Sequence, residues 1–177
     1  MAGAKRVIRY LLGTSSFGAR FEGTLESTRS GGRARCIETF CDSDWAGCER
    51  ARKSTTGGVL TVGNHVLNTW SRTQQTISLS SGEAEFYALG TGAAESLFLS
   101  SLMKEVLPKE LQPNFPIQLR TDAIAGRGVC NRLGPGKIRH LEIRNLWLQD
   151  LVERRLMTVT HVKGEDNPAD LLTKGAA

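Results

Sequence analysis

No apolar run in this sequence approaches the ~18 residues that a membrane-spanning helix requires, and the basic start MAGAKR (1–6) is followed by no secretory apolar core. The four cysteines, Cys36, Cys41, Cys48 and Cys130, include no C-x-x-C pair. A zinc site built from three of them with His65 would match no familiar ligand spacing, so free thiols in a reducing, intracellular compartment are expected. There is no G-x-x-x-x-G-K-[ST] phosphate loop, since Gly57-Gly58 lies inside a strand-like run, and no G-x-S-x-G elbow. The three histidines stand far apart along the chain. These absences argue against a P-loop nucleotide hydrolase, a serine hydrolase and a zinc ribbon.

What is present is the balance of a globular chain. The 177 residues suit one ordinary domain, at about 150 residues per domain. With 40% hydrophobic and 23% charged residues, disorder and collagen-like repetition are excluded. A net charge of +5 makes nucleic acid a candidate partner from the outset.

Hydrophobic spacing predicts a helix over 5–12, with Val7, Ile8, Leu11 and Leu12 on one face and Gly13 as its stop. Residues 15–35, rich in Gly, Ser and Arg, read as a connector. Strand-like runs follow at 36–41, 58–62 and 66–70, the last leading on to 76–79, with a hairpin turn at Gly63-Asn64. A long helix then opens on a capping box, Ser80 with Glu83 three residues on, and runs to the stop at Pro108. A strand at 117–121, a short helix after Asp122, a helix over about 139–155, a strand at 157–162 and a helical turn at 168–174 complete the order βββαβαβα. That is a mixed α/β layer fold.

Most of the acids belong to paired, solvated faces, as Glu142, Asp150 and Glu153 do among Arg139, Arg144 and Arg154. Four are placed differently. Asp42 ends an apolar strand, where ligands of α/β folds commonly sit, although a turn-forming Asp would look the same. Glu85 falls on the Leu89–Ala93–Leu97 stripe of its helix and must there be neutral, paired or cation-bound; Glu83 is accounted for by the cap. Asp122 follows a strand and opens a helix, where an N-cap is the alternative. Asp170 stands in the first turn of the last helix, where the helix dipole alone would favour an acid, and Asp166 is its nearby competitor. Four carboxylates converging on one sheet edge would repel one another unless divalent cations lay between them. Hard oxygen donors of this kind suit Mg²⁺ or Mn²⁺, and two such ions suit displacement at a phosphodiester.

At these residues the sequence resembles the ribonuclease H domain of Copia-type retrotransposon Pol polyproteins. The motifs are CDSDWAG (41–47), RKSTTGG (52–58), WSRTQQT (70–76), LSSGEAEFYAL (79–89), Thr121-Asp122, IRHLEIR (138–144) and NPADLLTK (167–174). They run from about residue 36 to the end. AKRVIRYLLGT (4–14) is similar to the segment that joins the polymerase to this domain, while the polymerase's own Tyr-x-Asp-Asp signature is absent. The resemblance implies a connector over 1–35 and a ribonuclease H-like domain over 36–175. The fold implied is a three-layer α/β arrangement, a five-stranded mixed sheet with its first three strands antiparallel, flanked by helices.

It also implies hydrolysis of the RNA strand of RNA–DNA hybrids by an Asp-Glu-Asp-Asp set carried over to Asp42, Glu85, Asp122 and Asp170, with Asp44 as the alternative to Asp42. These acids would hold two Mg²⁺ or Mn²⁺ ions, one between Asp42 and Asp170 to generate the attacking hydroxide, the other at Asp42, Glu85 and Asp122 to stabilise the leaving oxygen. Arg52, Lys53, Ser54, Arg72, Arg139 and His140 are the nucleic-acid-binding candidates, and the polymerase portion of a Pol polyprotein is a candidate partner. Two departures stand out. Ala123 occupies a position that is polar in many relatives, and the loop 162–166 lacks the histidine of cellular ribonucleases H, leaving proton transfer to Glu165 or water. A catalytically inactive nucleic-acid-binding remnant is the rival reading. An integrase is disfavoured, because integrases order their acids Asp, Asp, Glu.

Overall fold

The computed structural model describes residues 2–18, 36–48, 50–63, 65–109, 115–131 and 143–174. The chain divides into two compact units, Met1–Gly32 and Arg33–Ala177. The first contains helix α1 (Ala2–Gly13), on which Val7, Ile8, Leu11 and Leu12 are all exposed. Thr14 closes it by donating from both its amide and its hydroxyl to the Tyr10 carbonyl.

The second unit is built on strands β1 (Ile37–Asp44), β2 (Thr55–Val62), β3 (His65–Thr73), β4 (Ile117–Thr121) and β5 (Met157–His161), with helices α2 (Ser81–Val106), α3 (Ile124–Cys130), α4 (Ile143–Glu153) and α5 (Asp170–Thr173). The sheet order is β3-β2-β1-β4-β5. β1, β2 and β3 pair antiparallel, and β4 and β5 add in parallel to β1. This is the mixed five-stranded sheet that the motifs imply.

Two strands differ from the expectation at their ends. β1 does not stop at Cys41 but continues to Asp44, because β2 keeps pairing with it through Asp42↔Gly57, Ser43↔Thr56 and Asp44↔Thr55. β3 ends at Thr73 and does not resume over 76–79. The cause is Gln74, whose buried amide donates to Thr56 Oγ1 (3.0 Å) and the Ala84 carbonyl (2.9 Å) and accepts from the Ser78 hydroxyl (2.8 Å). These bonds tie the segment to α2 and leave Ile77 and Leu79 exposed.

The capping box forms, with a shifted partner. Ser80 Oγ accepts from the Glu83 amide (3.2 Å), whereas the Glu83 carboxylate reaches past the cap to the Leu79 amide (2.7 Å) and also accepts from the Tyr87 hydroxyl (2.6 Å). α2 lies against β1 through a small-residue stripe. Thr39 shares a hydrogen bond with Ser96 (2.7 Å), and a Cβ on Gly92 would collide with Cys41 Sγ. Ile37, Leu60, Phe86, Leu89, Leu119, Leu148 and Met157 fill the core between sheet and helices. Burial pushes the Cys130 thiol up to about 12 and that of Cys41 further, so both act as inert packing.

Candidate active site

Asp42 and Asp122 are brought level by strand register. β1 and β4 pair in parallel through Phe40↔Arg120, and each aspartate stands two residues further on. Because side chains alternate along a strand, both occupy the same face as Phe40 and Arg120. Glu38 and Arg120 meet on that face at 2.6 Å. Asp42 is buried within β1 rather than at its end. Asp122 is not an N-cap: Ala123 occupies that position in α3 and has no side-chain cap, and the Ala123 amide is taken by Thr121 Oγ1 (3.1 Å). The capping explanation of Asp122 is therefore removed.

Glu85 enters from the second turn of α2, half-buried. α3 packs closely here because Gly126 has no side chain; a Cβ there would stand 3.0 Å from Glu85 Cβ. A glycine inside a helix ordinarily weakens it, and here Gly126 serves this close approach.

The last acid depends on a second glycine. α5 rests on β2 at Gly57, the strand partner of Asp42, where a Cβ would lie 2.7 Å from both the Ala169 carbonyl and Thr173 Cγ2. Docked there, α5 brings Asp170 to the edge and lets the Thr173 hydroxyl donate to Asp42 Oδ2. Lys174 pairs with Asp170 at 2.5 Å. Asn167 links the same turn to both strands: its amide nitrogen donates to the Cys41 carbonyl of β1 (3.2 Å) and to Asp122 Oδ1 just past β4 (3.4 Å), and its oxygen accepts from the Ala169 amide (3.2 Å).

The acids sense one another. Burial raises the Asp42 carboxyl above its ordinary range, Asp122 and Asp170 add repulsion, and the Thr173 hydroxyl offsets part of the rise. Burial likewise lifts Glu85 to about 8, with Asp42 and Asp122 contributing and Ser43 opposing. Ser43 does not satisfy Glu85 fully, since Glu85 Oε2 and Ser43 Oγ are both buried with no hydrogen bond that closes. Asp44, the alternative to Asp42, lies at the end of β1 with its carboxylate over Gly47.

The chemistry of the set fits a divalent cation: hard oxygen donors, mutual repulsion and one buried carboxylate oxygen without a partner. Among the described residues, however, no three acidic, histidine or cysteine side chains stand as a ready ligand group. The acids suit a cation by charge and donor type, not by preformed coordination. The edge is open. A hollow of 310 Å³ bounded by Gly164, Glu165, Asn167 and Asp170 adjoins the last acid, whereas a larger cleft of 430 Å³, between Arg72, Gln75, Tyr87 and Trp147, contains none of the four.

The nucleic-acid candidates are scattered in their placement. Arg52 is exposed on the β1–β2 loop with a left-handed backbone (φ 52°), and Lys53 beside it is half-buried. Ser54 is fully buried and its hydroxyl accepts from the Ala46 amide (3.1 Å), which makes it a support of that loop and not a surface contact. Arg72 is exposed, paired with Glu95 at 2.8 Å and lying over the Trp70 ring. Arg139 and His140 lie outside the described residues. Asn167 and Thr173 were not marked by sequence reasoning. The signal available for Thr173 was its i+3 spacing from Asp170, one face of one helical turn.

No family model matches the chain. Retrovirus-related Pol polyproteins of transposons are similar to it over nearly its whole length. That of transposon RE2 from Arabidopsis thaliana is 28% identical over 171 residues, covering 96% of this chain and 11% of the polyprotein. That of transposon TNT 1-94 from Nicotiana tabacum is 27% identical over 172 residues, covering 96% and 12%. The chain thus spans roughly a tenth of the curated relatives it matches. Among solved structures, LC11 ribonuclease H1, isolated from compost, superposes with a TM-score of 0.51 over 78% of this chain and 93% of that one, at 18% identity. The chain is a homologue of retrovirus-related transposon Pol polyproteins, and its fold is that of ribonuclease H.

Proposed function

We propose that residues 36–175 act as a metal-dependent ribonuclease that hydrolyses the RNA strand of RNA–DNA hybrids, inside the cell, as part or remnant of a retrotransposon Pol polyprotein. Residues 1–35 are the connector from its polymerase portion, the proposed partner. The observation that carries this reading is that Asp42 and Asp122 stand level on paired strands, with Asp42 repelled by Asp122 and Asp170 and Glu85 by Asp42 and Asp122.

Two Mg²⁺ or Mn²⁺ ions held by these four residues would supply Lewis-acid activation at the scissile phosphate. The chain's own contributions are three. The acids, Asp42 buried and Glu85 half-buried, crowd negative charge that a proton on Glu85 or a bound cation relieves. The hollow beside Asp170 is a surface depression among the described residues, which a polymer can approach where a closed cavity would exclude it. Arg52 and Lys53, together with Arg139 and His140, would hold backbone phosphates without regard to sequence, and RNA would be chosen through its 2′-hydroxyls.

One observation favours the rival reading, a catalytically inactive remnant that binds nucleic acid: the described residues contain no ready three-ligand group. A labelled RNA–DNA hybrid incubated with purified protein and Mg²⁺, with and without chelator, separates the two. Chelator-sensitive cleavage supports the enzyme. Retardation of the hybrid in a gel without any cleavage supports the remnant.

A further inference from the structure

We infer that Thr173 and Asn167 are positioning residues: the turn after β5 contributes Asp170 and also the hydrogen-bond donors that hold Asp42 and Asp122 for a divalent cation. The inference rests on the proposed function. Three of the four acids take a donor from the single segment 167–174, namely Thr173 on Asp42, Asn167 on Asp122 and Lys174 on Asp170. The Lys174 pair is exposed and of the kind that contributes little. The other two donors are buried, with Asn167 3% and Thr173 7% exposed.

Thr173 has one hydroxyl proton and two acceptors in reach, Asp42 Oδ2 and the Asp170 carbonyl at 3.1 Å. The carboxylate is the stronger acceptor. Its methyl group lies on Gly57, and a β-branched side chain is stiff about χ1, so the hydroxyl is held toward Asp42. Asn167 uses both ends of its amide, bridging Cys41 of β1, Asp122 just past β4 and the start of α5. Glu85 is outside this bracket and is the acid left with an unpartnered oxygen.

If these bonds only anchored α5, their loss would lower stability and leave cation affinity alone. Positioning predicts the opposite separation, because outer partners of ligating carboxylates typically govern affinity by 10–100-fold. The test is Mn²⁺ binding to the whole, substrate-free chain by calorimetry and electron paramagnetic resonance. Melting curves in chelator serve as the check of folding. Thr173→Val and Thr173→Ala should each weaken Mn²⁺ binding about tenfold or more, and Thr173→Ser should retain it. The alanine variant carries the test if valine crowds the contact with Gly57. Equal Mn²⁺ affinity in all four proteins, or equal loss in the serine variant, overturns the positioning role and leaves the proposed function standing. A wild-type chain that binds no Mn²⁺ overturns both.

Discussion

Replacing Glu85 by glutamine should make the metal-free protein more stable at alkaline pH, although it removes a residue proposed to be essential. Glu85 titrates at about 8 in the folded chain against an ordinary 4.5, mainly because it is buried and secondly because Asp42 repels it. Between those two pH values the folded chain keeps a proton that the unfolded chain releases. The unfolded state therefore binds fewer protons, and stability falls as pH rises. At about 1.4 kcal/mol per pH unit the loss has an upper bound of about 4–5 kcal/mol by pH 8. Partial solvent access to the half-buried side chain reduces this to about 2 kcal/mol. For a domain of this size that corresponds to a rise in melting temperature of about 4–8 °C in Glu85→Gln. Melts followed by circular dichroism in chelator should show the variant and wild type alike at pH 5 and the variant ahead at pH 8. Added Mg²⁺ should then recover the wild type more than the variant. If wild type and variant melt together at pH 8, the acids are not crowded and the electrostatic argument for the site fails.

Two further substitutions probe the scaffold. Gly57→Ala places a methyl group 2.7 Å from the Ala169 carbonyl and Thr173 Cγ2, so it should cost about 1–3 kcal/mol in urea unfolding and reduce hybrid cleavage more than hybrid binding; unchanged stability would show that α5 does not need this glycine. Arg120→Met strands the buried Glu38, which accepts from Arg120 at 2.6 and 3.2 Å, and should destabilise by about 3 kcal/mol. Adding Glu38→Gln should restore much of that loss, and a double variant no better than the single one would refute a stranded charge.

The order of strands and helices was legible because it is written in local periodicity, and the capping box and Pro108 framed α2 without tertiary help. The acids could be singled out by their oddity, Glu85 on an apolar stripe and Asp122 after a strand. What separates Asp122 from an N-cap is the α3 cap at Ala123, a backbone detail that an Asp at a strand–helix junction does not disclose. The supporting residues were out of reach for a different reason. The bonds from Thr173 to Asp42 and from Asn167 to Cys41 span 131 and 126 residues, and no local pattern records them. The use of Gly57 and Gly126 shows only once the element lying against each is known. Ser54 shows the reverse error: a hydroxyl in a basic motif suggests phosphate, but it is buried just before β2 and accepts from the Ala46 amide.

Ribonuclease chemistry at these acids is tested by comparing wild type with Asp122→Asn on one labelled RNA–DNA hybrid, measuring cleavage and binding in the same Mg²⁺ buffer. Wild type should cleave the RNA strand in a chelator-sensitive way, and the variant should not cleave while binding as tightly or more so, since a negative charge near phosphate has been removed. Cleavage by the variant at the wild-type rate would place the chemistry elsewhere, and an intact hybrid with wild type would contradict the enzyme reading altogether.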